Sequence, residues 1–498
     1  MVESEGIHCV ALAENRDSSI LCPTTSTMRR LLMLVILSFV ATSSWTSSPK
    51  PKTINDVGVL SHLVNARLME VEESLRDLEV QMFNKCDLSP KINPFDESKT
   101  LIGAFKKRKE TSHIDCGRII NGDIDYMKEM VANRNVLVAQ NLSMCCEDIR
   151  IRVMGPIPRR RIQFGVAHAR VVHDAYEFIE EELRSAYHPQ NYFCYSIAPE
   201  ADKEFKEKIK RLASCFPNVV VTPEEFRIDA HGRNMSEAFY SCMKLLSKRP
   251  GWEYMLLILN WDVVIKSPYE IVEIYKILGG ANDVRLESGW NWFNHNLKWD
   301  ARSLKLFLDE STATPQQLNA KLTFARGSPE VSLSRAAVEW LVGTVNLTTL
   351  LDQINAGPAS INDLLLPSLQ SSDGFDMPGR FTSTCVRPAK LTQFSTIVDQ
   401  WIRLKDVPCH TGYFKNDWCV FGLENLEQLA KSTQLMAWEL LPDFDYGVID
   451  CIHEVIFNRT FLSQVDHPLN LDYYRNLPHV KFHNSRKHSD AKYTLKCF

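Results

Sequence analysis

Polar side chains follow an apolar run in the middle of the chain, in a place where ligands commonly bind. Residues 254–259 read YMLLIL, the composition of a buried strand, and Asn260, Trp261 and Asp262 come directly after them. In open sheets of parallel strands, ligands bind in the crevice outside the carboxyl ends of the strands. The sequence therefore predicts that Asp262 and its neighbours lie at a binding site.

Two pairs of aspartates have a spacing that is found in metal sites. Asp123 and Asp125, and likewise Asp443 and Asp445, are separated by a single residue. Neither pair follows a buried strand, so neither is expected to hold a metal ion. The sequence also contains no Cys-x-x-Cys pair and no His-Glu-x-x-His, the common zinc motifs. No metal site is predicted.

The elements that would position such groups alternate between strands and helices. Residues 192–197 are aromatic and β-branched, residues 203–215 have apolar side chains at helical spacing, and residues 219–221 are three valines. This is the pattern of a βαβ unit with parallel strands. Strands at 164–172 and 254–259 and helices at 175–185, 235–247 and 268–278 continue it, so the sequence predicts a doubly wound α/β sheet.

Composition and charge exclude several classes of protein. Hydrophobic residues make up 45% of the 498 residues and charged residues 24%, which is typical of a folded chain with a large core. The 57 Lys and Arg residues nearly balance the 61 Asp and Glu residues, so no nucleic-acid partner is expected. The basic run at 158–161 is interpreted as a solvated edge.

The first 110 residues predict delivery to the secretory pathway. Arg29 and Arg30 precede an apolar run, which favours a cytoplasmic tail at 1–30 and a membrane signal anchor at 31–47. A cleaved signal peptide at 28–44 is the alternative. A stem follows at 48–110, whose apolar residues at helical spacing allow self-association into a homodimer. The globular region is expected at 111–465 and a C-terminal tail at 466–498.

Cysteines and glycosylation sequons agree with an oxidising compartment. Twelve of the 14 cysteines follow the apolar run, where disulfides persist. Acceptor triplets for N-glycosylation begin at Asn141, Asn234, Asn346 and Asn458.

Longer stretches of the chain carry a family resemblance. These are HPQNYFCYSI and ASCFPNV in the βαβ unit, WEYMLLILNWDVVIKSPYEIV at 252–272, RGSPEVSLSR at 326–335 and CVFG at 419–422. In this order and with this cysteine spacing, residues 110–460 resemble the core-2/I-branching β-1,6-N-acetylglucosaminyltransferases. That family also includes the peptide O-xylosyltransferases.

The resemblance implies a fold, an activity and a location. The fold would be a disulfide-braced, GT-A-like nucleotide-sugar transferase fold, with 111–465 as the catalytic domain. The activity would be inverting, metal-independent transfer of N-acetylglucosamine from UDP-GlcNAc to a glycan or glycoprotein acceptor. The location would be the Golgi membrane, as a single-pass type II protein with a luminal catalytic domain. Xylosyl transfer is a lesser alternative.

The resemblance also implies roles for individual residues. Asp363 takes the position of the family's catalytic Glu, although Ser360 and Asp363 have the spacing of a helix capping box as well. The expected donor-binding residues are Val172, His173, Asp262, Arg403, Lys405 and Lys415. The expected acceptor-binding residues are Glu287, Trp290 and Trp401, since aromatic rings suit the C–H faces of sugars.

The disulfides that the resemblance implies are Cys116–Cys451, Cys215 with Cys145 or Cys146, Cys194–Cys242 and Cys409–Cys419. Cys86, Cys385 and Cys497 are left without an assigned partner.

Departures from the family pattern leave a second function open. Ala198 stands where the family has an Asp that contacts the nucleoside, and Asp443 replaces a basic residue. Before Cys419 the family has an Arg, whereas this chain has only the shifted Lys415. A catalytically inactive member that serves as a luminal glycan-binding or structural protein is therefore the alternative to an enzyme.

Overall fold

The computed structural model describes residues 105–154, 159–357, 363–388, 390–400, 408–464, 466–487 and 494–497. The predicted cytoplasmic tail, signal anchor or signal peptide, and the stem up to residue 104 lie outside this part of the chain. Within the described residues, no helix combines the length and the apolar character that crossing a membrane requires.

The strands and helices alternate along the chain. The strands are β1 (Gly165–Val172), β2 (Tyr192–Ile197), β3 (Val219–Val221), β4 (Trp252–Ile258), β5 (Val263–Val264), β6 (Glu287–Ser288), β7 (Ala325–Arg326), β8 (Ser332–Ser334), β9 (Ile397–Val398), β10 (Phe414–Lys415), β11 (Trp418–Cys419) and β12 (Met436–Ala437). The α-helices are α1 (Cys116–Ile120), α2 (Ile124–Ala132), α3 (Cys146–Met154), α4 (Tyr176–Ala186), α5 (Lys203–Ser214), α6 (Met235–Leu246), α7 (Pro268–Leu278), α8 (Pro315–Asn319), α9 (Arg335–Gly343), α10 (Thr348–Asn355), α11 (Leu365–Ser371), α12 (Leu426–Lys431), α13 (Tyr446–Phe461), α14 (Leu471–Asn476) and α15 (Pro478–Lys487).

The central sheet has five strands in the order β3-β2-β1-β4-β8. The first four run parallel, and β8 pairs antiparallel with β4. Helices cover both faces: α6 packs on one face, and α4 and α5 pack on the other. The α/β prediction is confirmed, and the predicted bounds of β2, β3 and α7 match the structure. The strand predicted at 254–259 starts and ends one or two residues earlier.

Burial explains why these segments are strands. Every residue of β1 is buried, including His168 and Arg170, because the sheet is covered on both faces. Arg170 remains inside because its guanidinium donates to the carbonyl oxygens of Leu259 and Asn260 at 3.1 and 3.2 Å and pairs with Glu182. This network fixes the turn that follows β4.

The segments on either side of the predicted globular region belong to the folded unit. Tyr474 and Val480, on α14 and α15, are buried, and His479 lies 2.9 Å from the buried carboxylate of Asp283. At the other end, Arg108 pairs with Glu177 on α4. Residues 105–110 and much of 466–498 are thus packed parts of the domain rather than stem and tail, because they carry apolar and charged partners for its helices.

Five disulfides join cysteines within the described residues and brace the domain. The four implied pairs are present, with Cys146 rather than Cys145 as the partner of Cys215. Cys145 is exposed and free. The fifth disulfide, Cys385–Cys497, joins two cysteines that had no assigned partner. Cys86 lies outside the described residues.

The four sequons differ in accessibility. Asn141 is exposed, whereas Asn234, Asn346 and Asn458 are partly buried. The Asn234 side chain donates to the carbonyl of Arg227 at 2.8 Å, so its amide nitrogen already has a partner. Asn141 is the sequon best placed to carry a glycan, and use of the other three stays a prediction.

Candidate active site

Asn260 joins the carboxyl ends of β1 and β4. Its Oδ1 accepts hydrogen bonds from the backbone N–H groups of His173 and Asp174, at 2.7 and 3.3 Å. Val172 is buried, and its carbonyl accepts a bond from Ala198 after β2 at 2.9 Å. His173 is exposed, with its ring edge-on to Trp261 at 5.4 Å. This edge of the sheet is the place where a ligand is expected.

One predicted cation, Lys415, lies close to this edge. Its Nζ is 6.0 Å from the centre of the Trp261 ring and 3.2 Å from Oε1 of Glu439. Burial raises the pKa of Glu439, Lys415 lowers it, and the nearby Asp443 raises it. The charge of Lys415 is therefore partly neutralised by an acidic neighbour.

Asp262 is at the predicted place in the chain but is enclosed. Its side chain is fully buried, and Oδ2 accepts a bond from the Leu259 N–H at 2.5 Å. Burial raises the pKa of Asp262 well above its ordinary value, and Glu330 adds to the rise. The bond to Leu259 means that Asp262 fixes the turn after β4. Because its carboxylate is buried, it is not exposed to a ligand.

Asp363 is brought to the same edge by the segment before β8. Because β8 runs antiparallel to β4, the residues that precede β8 lie beside the carboxyl end of β4. Gly327 in this segment donates its N–H to the Asp363 carbonyl at 3.0 Å. A side chain at Gly327 would place its Cβ 2.0 Å from the Arg285 carbonyl oxygen, so only glycine permits this approach.

The Asp363 carboxylate is available for chemistry. It is partly exposed and accepts no hydrogen bond from the described residues, and α11, which follows it, has no side-chain cap. Ser360, the other half of the suggested capping box, lies outside the described residues. Burial and then the Glu330 carboxylate raise the pKa of Asp363 to about 7, against the lowering effect of Arg326 and Arg285.

Glu330 is a candidate site residue that the family resemblance does not indicate. It is buried before β8, Ser328 donates its hydroxyl to it, and burial raises its pKa. Arg285, which lowers the pKa of both Glu330 and Asp363, is held by Asp399 through two bonds of 2.7 and 2.8 Å. The sequence signal for Glu330 is a single acidic residue just before the buried strand β8.

One predicted acceptor residue, Glu287, is connected to Asp363 through Arg326, whose charge lowers the pKa of Asp363. Glu287 on β6 pairs with Arg326 on β7 at 3.0 Å, and the Arg326 guanidinium stacks 5.1 Å from the Trp292 ring centre. Trp290 is 59% exposed, which leaves its ring open to solvent. Trp401, Arg403 and Lys405 lie outside the described residues, so their predicted roles stay predictions.

The aspartate pairs have structural roles. Asp123 accepts a bond from the Tyr126 N–H at the start of α2, and Asp445 accepts one from Gly447 at the start of α13. Within the described residues, no group of three or more His, Cys, Asp or Glu side chains is arranged to hold a metal ion. Metal independence of the chain stays a prediction.

Comparison with known proteins identifies the family. A model of the core-2/I-branching enzyme family matches residues 166–430, which is more than half of the chain. The chain belongs to this family. It is a family of glycosyltransferases, and the matched segment contains Asp363, Lys415 and all of the five-stranded sheet except Gly165.

Named relatives of this core-2/I-branching enzyme are consistent with the family assignment. A human β-1,3-galactosyl-O-glycosyl-glycoprotein β-1,6-N-acetylglucosaminyltransferase 3 is 24% identical over 402 residues, covering 75% of this chain and 90% of its own. The rat protein of that name has the same identity and coverage over 400 residues. A bovine herpesvirus 4 protein named as the same type of transferase is 26% identical over 333 residues, covering 64% of this chain and 74% of its own.

Proposed function

We propose that this chain transfers N-acetylglucosamine from UDP-GlcNAc to a glycan hydroxyl, forming a β-1,6 branch with inversion and without a metal ion. The observation that carries the proposal is the Asp363 carboxylate, which is partly exposed, accepts no hydrogen bond from the described residues and lies near Arg326 of the Glu287–Arg326 pair. The sheet order and the helices on both faces support a GT-A-like fold. The names of the relatives support the sugar and the linkage.

The chemistry uses Asp363 as the general base. As the acceptor oxygen attacks the anomeric carbon, Asp363 takes the hydroxyl proton, the bond from that carbon to the diphosphate oxygen breaks, and UDP leaves with the electron pair. A base with a pKa of about 7 suits this transfer near neutral pH. Trp290 would stack on the acceptor, and Lys415, whose Nζ lies 6.0 Å from the centre of the Trp261 ring, would oppose the diphosphate charge.

The location follows from the N-terminal sequence. We infer a Golgi type II protein anchored by residues 31–47, with the catalytic domain luminal; the five disulfides support an oxidising compartment.

A second candidate function, glycan binding without catalysis, is favoured by one observation. Lys415 is paired with Glu439, and Asp443 lies nearby, so the described residues offer little free positive charge to a diphosphate. A protein with this site could hold a glycan and bind UDP only weakly.

One experiment separates these functions. The full chain is incubated with UDP-GlcNAc or UDP-xylose, with an O-glycan that bears a β-1,3-galactosyl group or a serine peptide, and with EDTA or manganese. Asp363→Asn is compared with Asp472→Asn, an exposed matched control. The proposal expects GlcNAc transfer in EDTA that only Asp363→Asn abolishes. Xylose transfer to the peptide, a strict manganese requirement, or no transfer and no stabilisation by UDP would each contradict it.

A further inference from the structure

A large cavity in the described part of the chain lies away from the candidate active site. It is a cleft of about 1120 Å³ between residues 105–110, the end of α3, one side of α4 and the last two turns of α13. We call it the helical cleft. None of the candidate donor, acceptor or base residues lines it.

A row of aromatic rings forms part of its lining. The ring centres of Phe105 and Phe457 are 5.6 Å apart, and those of Phe457 and Phe461 are 4.9 Å apart. A guanidinium lies over each end of the row: Arg184 is 4.8 Å from the Phe105 ring and Arg159 is 5.0 Å from the Phe461 ring. The row therefore offers apolar faces with a positive charge at each end.

Buried polar atoms without partners also line the helical cleft. Arg159, His453 and Thr460 are only 4, 3 and 6% exposed. Among the described residues, Arg159 Nε, His453 Nδ1 and Thr460 Oγ1 have no hydrogen-bond partner. A buried polar atom without a hydrogen-bond partner destabilises the folded state and is therefore rare in folded proteins. Three such atoms at one cleft point to a ligand that supplies the missing bonds.

The charge of the helical cleft is opposite to that of the chain. Its lining has seven cationic and four carboxylate side chains, a net charge of +3, whereas the whole chain has −4. The cations are Lys106, Lys107, Arg108, Lys109, Arg152, Arg159 and Arg184, and the carboxylates are Glu110, Glu177, Glu180 and Glu181. Of the cations, Lys106, Lys109 and Arg159 have no carboxylate partner among the described residues.

We propose that the helical cleft binds an acidic oligosaccharide, one that carries carboxylate or sulfate groups. The aromatic row suits the C–H faces of sugar rings, the polar atoms without partners suit their hydroxyl groups, and the cations without a carboxylate partner suit their anionic groups. The cleft is a binding site separate from the site of transfer, so it does not depend on the proposed activity.

The test uses a chondroitin sulfate tetrasaccharide as the probe and neutral chitotetraose as its control. Binding to the full chain, freed of N-glycans by enzyme, is measured by calorimetry at two salt concentrations. We expect the charged probe to bind and chitotetraose to bind at least tenfold more weakly. Replacing the exposed Lys106 and Lys109 by Gln should weaken binding roughly fivefold and reduce its salt dependence.

Matched variants decide whether binding is specific. Removing two exposed cations elsewhere, Lys203→Gln with Lys298→Gln, should leave affinity unchanged. Phe457→Leu keeps the apolar bulk but removes the central ring, and should weaken binding of the probe. Asp363→Asn should bind the probe as the native chain does, which separates this proposal from the transferase proposal.

Three results would overturn the inference. One is no binding of the tetrasaccharide at millimolar concentration by the folded protein. Another is a loss of affinity in the Lys203/Lys298 control equal to the loss in the Lys106/Lys109 variant, which would show only non-specific charge attraction. The third is tight binding of dodecyl phosphate with no binding of the tetrasaccharide, which would assign the cleft to a lipid.

Discussion

The pH dependence of transfer is the sharpest prediction from the site, because it depends on how two carboxylates affect each other. Asp363 must be ionised to accept a proton, and its pKa is raised from 3.8 to about 7. The ionised fraction is therefore about a tenth at pH 6 and about nine tenths at pH 8. We expect kcat/KM to be about tenfold lower at pH 6 than at pH 8.

Glu330→Gln tests the cause of this shift. The variant keeps an oxygen for the Ser328 hydroxyl and removes the negative charge that raises the Asp363 pKa. The acidic limb of the profile should move to lower pH, so activity at pH 6 should recover towards its value at pH 8. Asp363→Asn should lower kcat about 10²–10⁴-fold at every pH.

Stability provides a readout that does not depend on activity. Because the Asp363 pKa is raised on folding, the folded state binds more protons than the unfolded state between pH 4 and about 7, and stability falls as the pH rises through this window. Asp363→Asn should therefore unfold at a higher denaturant concentration than the native chain at pH 8, with little difference at pH 4. The control Asp472→Asn should unfold at the same denaturant concentration as the native chain at pH 8. The reasoning would be refuted if kcat/KM were constant from pH 5 to 8, or if the acidic limb of the profile moved to higher pH in Glu330→Gln.

Three further predictions concern the charge, the backbone and the C terminus. Glu439→Gln should free Lys415 and lower the Kd for UDP severalfold by calorimetry; an unchanged Kd would place the diphosphate elsewhere. Gly327→Ala should remove most transfer activity and lower the unfolding midpoint, because its Cβ has no room; native activity would show that the segment before β8 can shift. Replacing both Cys385 and Cys497 by Ser should lower the free energy of unfolding by about 2–4 kcal/mol, because the disulfide closes a loop of 112 residues, and an unchanged value in denaturant would contradict this.

Much of the fold can be predicted from the sequence because parallel strands have a distinctive composition. The apolar runs at β2 and β4 and the amphipathic helices between them specify a covered sheet without knowledge of any contact. The sequence predicts a tail after residue 466, whereas the structure has α14 and α15 there. Short helices depend on packing for their stability, and Tyr474 and Val480 are buried against the rest of the domain.

For the site, the sequence alone determined that Asp262 follows a buried strand and, by resemblance, that Asp363 takes the position of a base. It could not show that Asp262 is enclosed while Asp363 is partly exposed, because exposure depends on what packs over each carboxylate. The tertiary structure alone places Glu330 beside Asp363 and Glu439 beside Lys415. These pairs are far apart in the chain, and charges perturb one another through space rather than along the backbone.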